Sequence, residues 1–392
     1  MVKLPHYCGG PSVRVGSWIA ASWKSGFPAL NWPQLAGRTV IGTFKGRSAI
    51  SLACRLLGIG PGNEVLVPAY NCGTEVDALL SSGAHTIGFP ISRHCDYAIE
   101  DIAARRTSRT KAVYVIHYFG WEQDGRELRR WCDDNGLLLI EDCALAMFSD
   151  GQHGSIGRLG DAAIYSLPKT FGSLHGGLLS LSSSRADAGP GLARVGATTL
   201  LQEVRHSSKD TALRILDRLG LYGPLMAMRT RAATGSIPSN DAHPDMPQDY
   251  YYQPEEDENR GLHPCARLVA SAHPWEETCR LRREHYSRLL ATLRGMDGVS
   301  PLFPDLPEGV CPLSLPLLVA NRDVLVDRLE RAGIAACPWW AGFHQSGIDW
   351  PQFPDACWLK RNLLTLPVHQ SLDELHLEYI AETFVRILRL SA

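Results

Sequence analysis

The chain lacks any uninterrupted apolar run of about eighteen residues, the length that a membrane-crossing helix needs. Its start, Met1-Val2-Lys3-Leu4-Pro5-His6, also lacks the long apolar core of a secretory signal. These two absences lead to the expectation of a soluble, cytoplasmic protein with no membrane partner. Excess charge is missing too: Lys+Arg 39 against Asp+Glu 41 give a formal net charge of -2, so no polyanion such as nucleic acid is expected as a partner. Cysteine is not scarce, but cysteine spacing is uninformative. The 11 cysteines are scattered with no Cys-x-x-Cys pair, which argues against a zinc ribbon and against a secreted disulfide framework. Most read as small buried hydrophobes, and no metal site is expected. Internal repeats and low-complexity tracts are also absent.

What is present is a chain of 392 residues, 45% hydrophobic, able to bury a large core and to divide into at least two units. We read residues 1–250 as a large domain and 251–392 as a smaller carboxy-terminal one. Residues 44–182 alternate helical and strand patterns, as in a mostly parallel sheet flanked by helices. Ser48 can cap a helix over residues 49–57 that Gly58 ends. Pro61-Gly62 then turns into a strand over 64–68. Apolar runs at 112–116, 137–140, 162–165 and 177–181 suit strands covered on both faces. Residues 123–135 read as an amphipathic helix between two of them. A further helix is expected near 211–219, and the acidic stretch 249–258 reads as a solvated face or linker. Beyond residue 262, helices over 274–293, 323–332 and 372–390 alternate with short extended pieces, which fits a smaller α/β domain.

Lys169, in Tyr165-Ser166-Leu167-Pro168-Lys169-Thr170-Phe171-Gly172, follows the acidic strand end Ile140-Glu141-Asp142. That order suits a lysine that forms a Schiff base with pyridoxal phosphate and an aspartate that pairs with the cofactor's pyridine nitrogen. Open α/β sheets bind ligands beyond the carboxyl ends of their strands, where Asp142 is expected. A phosphate needs backbone N–H donors and a helix dipole, which Gly46-Arg47-Ser48-Ala49 can offer at the start of a helix, with Ser166 adding a hydroxyl. An ordinary cap at Ser48 and a turn former at Ser166 are the bland alternatives.

These pieces, read together, carry a family resemblance. Gly46-Arg47-Ser48-Ala49-Ile50, the stretch Leu57 to Tyr70, Arg109 to Val113, Val115-Ile116-His117-Tyr118-Phe119-Gly120, Leu139 to Ala144, Gly157 to Ala162, Tyr165 to Lys169 and His175-Gly176-Gly177 occur in the order and spacing of the DegT/DnrJ/EryC1/StrS aminotransferases. A weaker likeness extends to Leu366-Pro367-Val368-His369-Gln370. The resemblance implies fold type I of the pyridoxal-phosphate enzymes, with a large mostly parallel-sheet domain, a smaller carboxy-terminal α/β domain, and a homodimer whose active sites lie at the subunit interface. By position, Lys169 would carry the cofactor and act as acid and base, Asp142 would hold the pyridine nitrogen, and Arg47, Ser48 and Ser166 would bind phosphate. Tyr70 and His117 sit at strand ends expected to face the same crevice, with a core or turn role the alternative for each. Asn259 is a candidate for an asparagine lent across the dimer.

The chain departs from the family pattern in three places. Leu145 stands where a glutamine usually contacts the cofactor, Cys72 stands where an aromatic often stacks on its ring, and Ser166 lies closer to Lys169 than in many sugar aminotransferases. The expected function is transfer of an amino group from an amino acid, commonly glutamate, to a keto sugar, often nucleotide-linked, or to a keto-cyclitol. The alternative is a family member that does not transaminate, either a regulatory protein or one running an elimination or retro-aldol reaction. Trp339, Trp340, Phe343, His344, Trp350 and Trp358 make the carboxy-terminal stretch aromatic-rich, suited to a core or to the lining of an acceptor pocket.

Overall fold

The structure, a computed structural model, describes residues 5–23, 29–123, 125–152, 154–182, 191–226, 255–344 and 347–390. Its centre is a seven-stranded sheet made of β1 (Thr39–Thr43), β2 (Glu64–Pro68), β3 (His85–Phe89), β4 (Thr110–Ile116), β5 (Leu138–Asp142), β8 (Ala162–Ser166) and β9 (Gly177–Leu181), in the order β1-β9-β8-β5-β4-β2-β3. A short hairpin, β6 (Asp150–Gly151) with β7 (Gly154–Ser155), lies between β5 and β8 in the chain. All neighbouring pairs from β3 to β8 are parallel, and β9 alone runs against its neighbours. The strands β2, β5, β8 and β9 are buried at every position, which is why they read as continuous apolar runs rather than alternating ones.

Helices α1 (Val15–Ser22), α2 (Gly46–Leu57), α3 (Thr74–Ser81), α4 (Ile99–Ala103), α5 (Gly125–Asp134), α6 (Leu167–Phe171) and α7 (Ala197–Arg218) accompany this sheet. α2 packs against β1, β8, β9 and α3 and turns one face into the main core. On the other side of the sheet, Trp18, Trp32, Phe148, Tyr165, Phe171 and Leu268 form a second cluster. A separate antiparallel sheet, β10 (Val299–Pro301), β11 (Ser314–Val319) and β12 (Leu363–Pro367), carries its own core beneath the helices Trp275–Leu293, Arg322–Arg331 and Glu374–Arg389. Cys8, near the start of the chain, is buried in this last core through a bridge to Ile334.

Several local readings shift. α2 starts at Gly46 rather than after Ser48, so Ser48 lies inside its first turn and donates from Oγ to the Asp257 carbonyl (2.9 Å) instead of capping. Asp142 is the last residue of β5 rather than the residue after it. The helix expected near 211–219 is the end of α7. Residues 249–254 of the acidic stretch lie outside the described residues, but Glu255–Glu258 forms a helical turn whose Asp257 is buried, not solvated. Its carboxylate receives Arg260 Nη1 (3.1 Å) from three residues on and Lys45 Nζ (2.9 Å), a partner that sequence distance conceals.

Candidate active site

Parallel register and strand alternation decide which side chains meet. Ile116 pairs with Asp142 across β4 and β5, and Asp142 with Ile164 across β5 and β8. Since every second residue shares a face, Tyr114, Asp142 and Ser166 lie on one side of the sheet, while Glu141 points to the other. α2 begins beside this row: a Cβ built on Gly46 would lie 3.6 Å from Ser166 Cβ and 3.9 Å from its Oγ. The glycine therefore leaves a gap between the helix start and the serine hydroxyl. No acidic residue occupies the first turn of α2, whose opening N–H groups have no acceptor within the helix.

Asp142 is buried and held at both oxygens. Oδ1 accepts from the Ala144 N–H and Oδ2 from the Tyr114 hydroxyl, each at 2.8 Å. Lys169 sits on α6, a single turn that Pro168 opens and Gly172 closes in the left-handed conformation. Among the described residues its Nζ makes no hydrogen bond or ion pair, and the Trp340 ring lies 6.0 Å away. The charge of Lys169 reaches Cys72 and Glu75 at the start of α3. Burial raises the Glu75 carboxyl above its ordinary range, Asp142 raises it further, and Lys169 opposes both. Burial and then Glu75 likewise push the Cys72 thiol up. Lysine, aspartate and the α3 start thus share one electrostatic neighbourhood.

The remaining expected site residues divide. Tyr70 is fully buried, donates from its hydroxyl to the Trp339 carbonyl (3.0 Å), and packs its ring against Tyr118 and Trp340. His117 turns to the face opposite Asp142: its Nε2 lies 3.2 Å from Glu141 Oε1, and its Nδ1 accepts from the Gln123 N–H. Both ring nitrogens are engaged there, which separates it from the row of Tyr114, Asp142 and Ser166. Burial raises the Glu141 carboxyl, but the His117 hydrogen bond and charge, with the Gly160 N–H, outweigh it and hold Glu141 below its ordinary range. Arg47 lies in the first turn of α2, and Asn259 is exposed after the 255–258 turn, where its Oδ1 accepts from Arg55 (2.8 Å).

Three residues that sequence reasoning did not single out converge on the site. Glu75 accepts the Cys72 N–H (2.8 Å) and the Thr74 hydroxyl (3.2 Å). Tyr114 was legible in principle, because a hydroxyl within an apolar buried strand must find a partner. Lys360, with 0% of its surface exposed, donates to the carbonyls of Asn71 (2.8 Å), Trp340 (3.0 Å) and Gly342 (2.8 Å). It falls on the buried stripe of Ala356, Leu359 and Leu363, the one available signal. The tie fixes Trp340, whose φ of 53° is a conformation that bulky residues rarely adopt. Of the aromatic stretch, Trp339 and Trp340 pack at tilted or edge-on angles with Tyr70, Tyr118 and Phe119, whereas Trp350 meets Phe343 edge-on.

The residues present fit pyridoxal phosphate. A lysine amine and a Ser166 hydroxyl without a hydrogen-bond partner among the described residues, the gap at Gly46 beside a helix start, and a carboxylate fixed in orientation are what its aldehyde, phosphate and ring nitrogen require. Among the described residues no cluster of His, Cys, Asp and Glu could hold a metal, and no helix is long and apolar enough to cross a membrane.

Comparison with known proteins finds likenesses in both sequence and fold. Residues 35–188 match the DegT/DnrJ/EryC1/StrS aminotransferase family. GDP-perosamine synthase of Vibrio cholerae is 34% identical over 141 residues, 35% of this chain, which spans only 38% of that protein's length. A dTDP-4-dehydro-2,3,6-trideoxy-D-glucose 4-aminotransferase of Saccharopolyspora spinosa is 26% identical over 86% of this chain and 82% of its own. The fold is shared with the crystal structure of the aminotransferase TlmJ from Streptoalloteichus hindustanus, with a TM-score of 0.65 at 20% identity and all of both chains covered.

Proposed function

We propose that the protein is a pyridoxal-phosphate-dependent aminotransferase that moves an amino group from an amino acid, glutamate being the first candidate, to a keto sugar, often nucleotide-linked, or a keto-cyclitol. The carrying observation is that Lys169, Asp142 and the α2 start with Ser166 gather at the strand ends of one sheet. When bound, the cofactor supplies an electron sink through which an amino group passes between two carbons. Lys169 Nζ is the covalent attachment point and the group that moves the proton at the substrate carbon. Asp142 receives the ring nitrogen, while Ser166, Ser48 and Arg47 take the phosphate at the helix start. The Trp340 indole, packed against Tyr70, lies 6.0 Å from Lys169 Nζ and bounds the pocket there. His117 steadies Glu141 and with it the end of β5. A cytoplasmic homodimer, with Asn259 reaching the partner's site, and the division into residues 1–250 and 251–392 belong to the same reading.

The test is a half-reaction. Purified holo protein mixed with glutamate, without any acceptor, should lose the yellow absorbance and release 2-oxoglutarate, and borohydride reduction beforehand should leave the label on Lys169. Absence of conversion across a broad panel of amino donors would transfer the protein to the non-transaminating alternative. A label on Lys45, Lys111 or Lys360 would remove Lys169 from its role.

A further inference from the structure

We propose that Tyr114 is a positioning residue of this site: its hydroxyl, donating to Asp142 Oδ2 across 2.8 Å, holds that carboxylate turned toward the cofactor's ring nitrogen. The inference rests on the reading of Asp142 as the ring's partner.

A carboxylate at the end of a buried strand can rotate about its last bond, and burial penalises its charge. Asp142 meets both difficulties with two donors. The Ala144 N–H comes from the same chain turn and would be present in any strand ending this way. The Tyr114 hydroxyl comes from the neighbouring strand, so it fixes Oδ2 relative to the sheet rather than to its own loop. The two together set the plane of the carboxylate and leave one lone pair on each oxygen free. Tyr114 is fully buried on β4 among Ala112, Val113, Val115 and Ile116, and among the described residues its hydroxyl has no other hydrogen-bond partner. Burial, and then Asp142 and Glu75, push the phenol far above its ordinary value, so it remains a donor at every pH at which the fold persists. The other titratable groups whose fields meet Asp142 are Glu75 on α3, Tyr118 after β4 and the adjacent Cys143; Cys54 of α2 acts on Tyr114. Apart from the Tyr114 hydroxyl and the Ala144 N–H, none of the described residues donates to the Asp142 carboxylate.

The experiment uses the whole chain and pyridoxal phosphate as probe. Cofactor dissociation constants and the pH dependence of the bound cofactor's absorbance are measured for wild type, Tyr114→Phe, Asp142→Asn and the double variant, with melting of the cofactor-free proteins measured alongside. Tyr114→Phe should weaken cofactor binding about tenfold and move the acid limb of the absorbance profile up by about one pH unit, the scale of a hydrogen bond to a charged group. In the Asp142→Asn background the same change should have almost no further effect on cofactor affinity. A Tyr114→Phe protein that melts earlier but keeps the wild-type affinity and acid limb shows Tyr114 to be structural only, and so does a full loss in the Asn background. If Tyr114→Phe does not fold, the comparison of double variant with Asp142→Asn decides alone. An Asp142→Asn protein with unchanged affinity and spectrum brings down the pyridine pairing itself, and the proposal with it.

Discussion

Replacing Lys360 by Met tests how the aromatic wall over Lys169 is held. Methionine fills the volume of the stem but donates nothing, so the carbonyls of Asn71, Trp340 and Gly342 lose a shared partner. Leaving a buried acceptor unpaired costs about 1–3 kcal/mol each. Against this, burial lowers the ammonium from 10.5 to about 8, and at about 1.4 kcal/mol for each tenfold change the burial of its charge costs about 3 kcal/mol, which the substitution relieves. The net loss on Lys360→Met is therefore roughly 3 kcal/mol near neutral pH. The pH dependence carries its own sign. The folded value lies below the unfolded one, so between about 8 and 10.5 the unfolded chain binds more protons and stability rises with pH. Relative to Lys360→Met, wild type should thus gain stability across that window in urea unfolding monitored at a series of pH values. Parallel curves would show that the three carbonyls fully offset the burial. A variant as stable as wild type would refute the accounting of the carbonyls.

Asp142→Ala should slow the donor half-reaction by well over tenfold, since that factor needs only about 1.4 kcal/mol of transition-state stabilisation; single-turnover rates near wild type would refute the pairing. Gly46→Ala fits without collision but places a methyl against Ser166, so cofactor affinity should fall severalfold with melting unchanged, read by titration with pyridoxal phosphate. Gly177→Ala would drive its Cβ into the Lys45 carbonyl and the Thr43 hydroxyl where β9 meets β1, and a loss of more than about 2 kcal/mol in unfolding stability is expected, measured without cofactor.

How far the sequence reveals this architecture depends on the range of each determinant. β2 and β9 were readable because their apolar runs are bounded by Pro61-Gly62 and Gly176-Gly177 in the chain itself. Lys169 and Asp142 stand out because a local motif marks each. The start of α2 is hard to place because Lys45, the residue before it, offers no capping side chain, while Ser48 three residues beyond Lys45 has the right chemistry in the wrong place. Tyr114 and His117 depend on register. Only the pairing of Ile116 with Asp142 shows that Tyr114 shares a face with the aspartate and that His117 looks toward Glu141. Lys360 and Asp257 each meet one partner, Asn71 and Lys45 respectively, far away in the chain, and no local window contains that information.

The three carbonyls gathered by Lys360 also impose an order of assembly. A growing chain has all seven strands of the large sheet, with Lys169 and Asp142 in place, long before the helix Pro354–Asn362 is synthesised. Until then the unfavourable backbone of Trp340 rests on ring contacts with Tyr70, Tyr118 and Trp339 alone. Closure of the wall waits for the last tenth of the chain, so a protein cut short before that helix would lack the tie between the carbonyls of Asn71, Trp340 and Gly342.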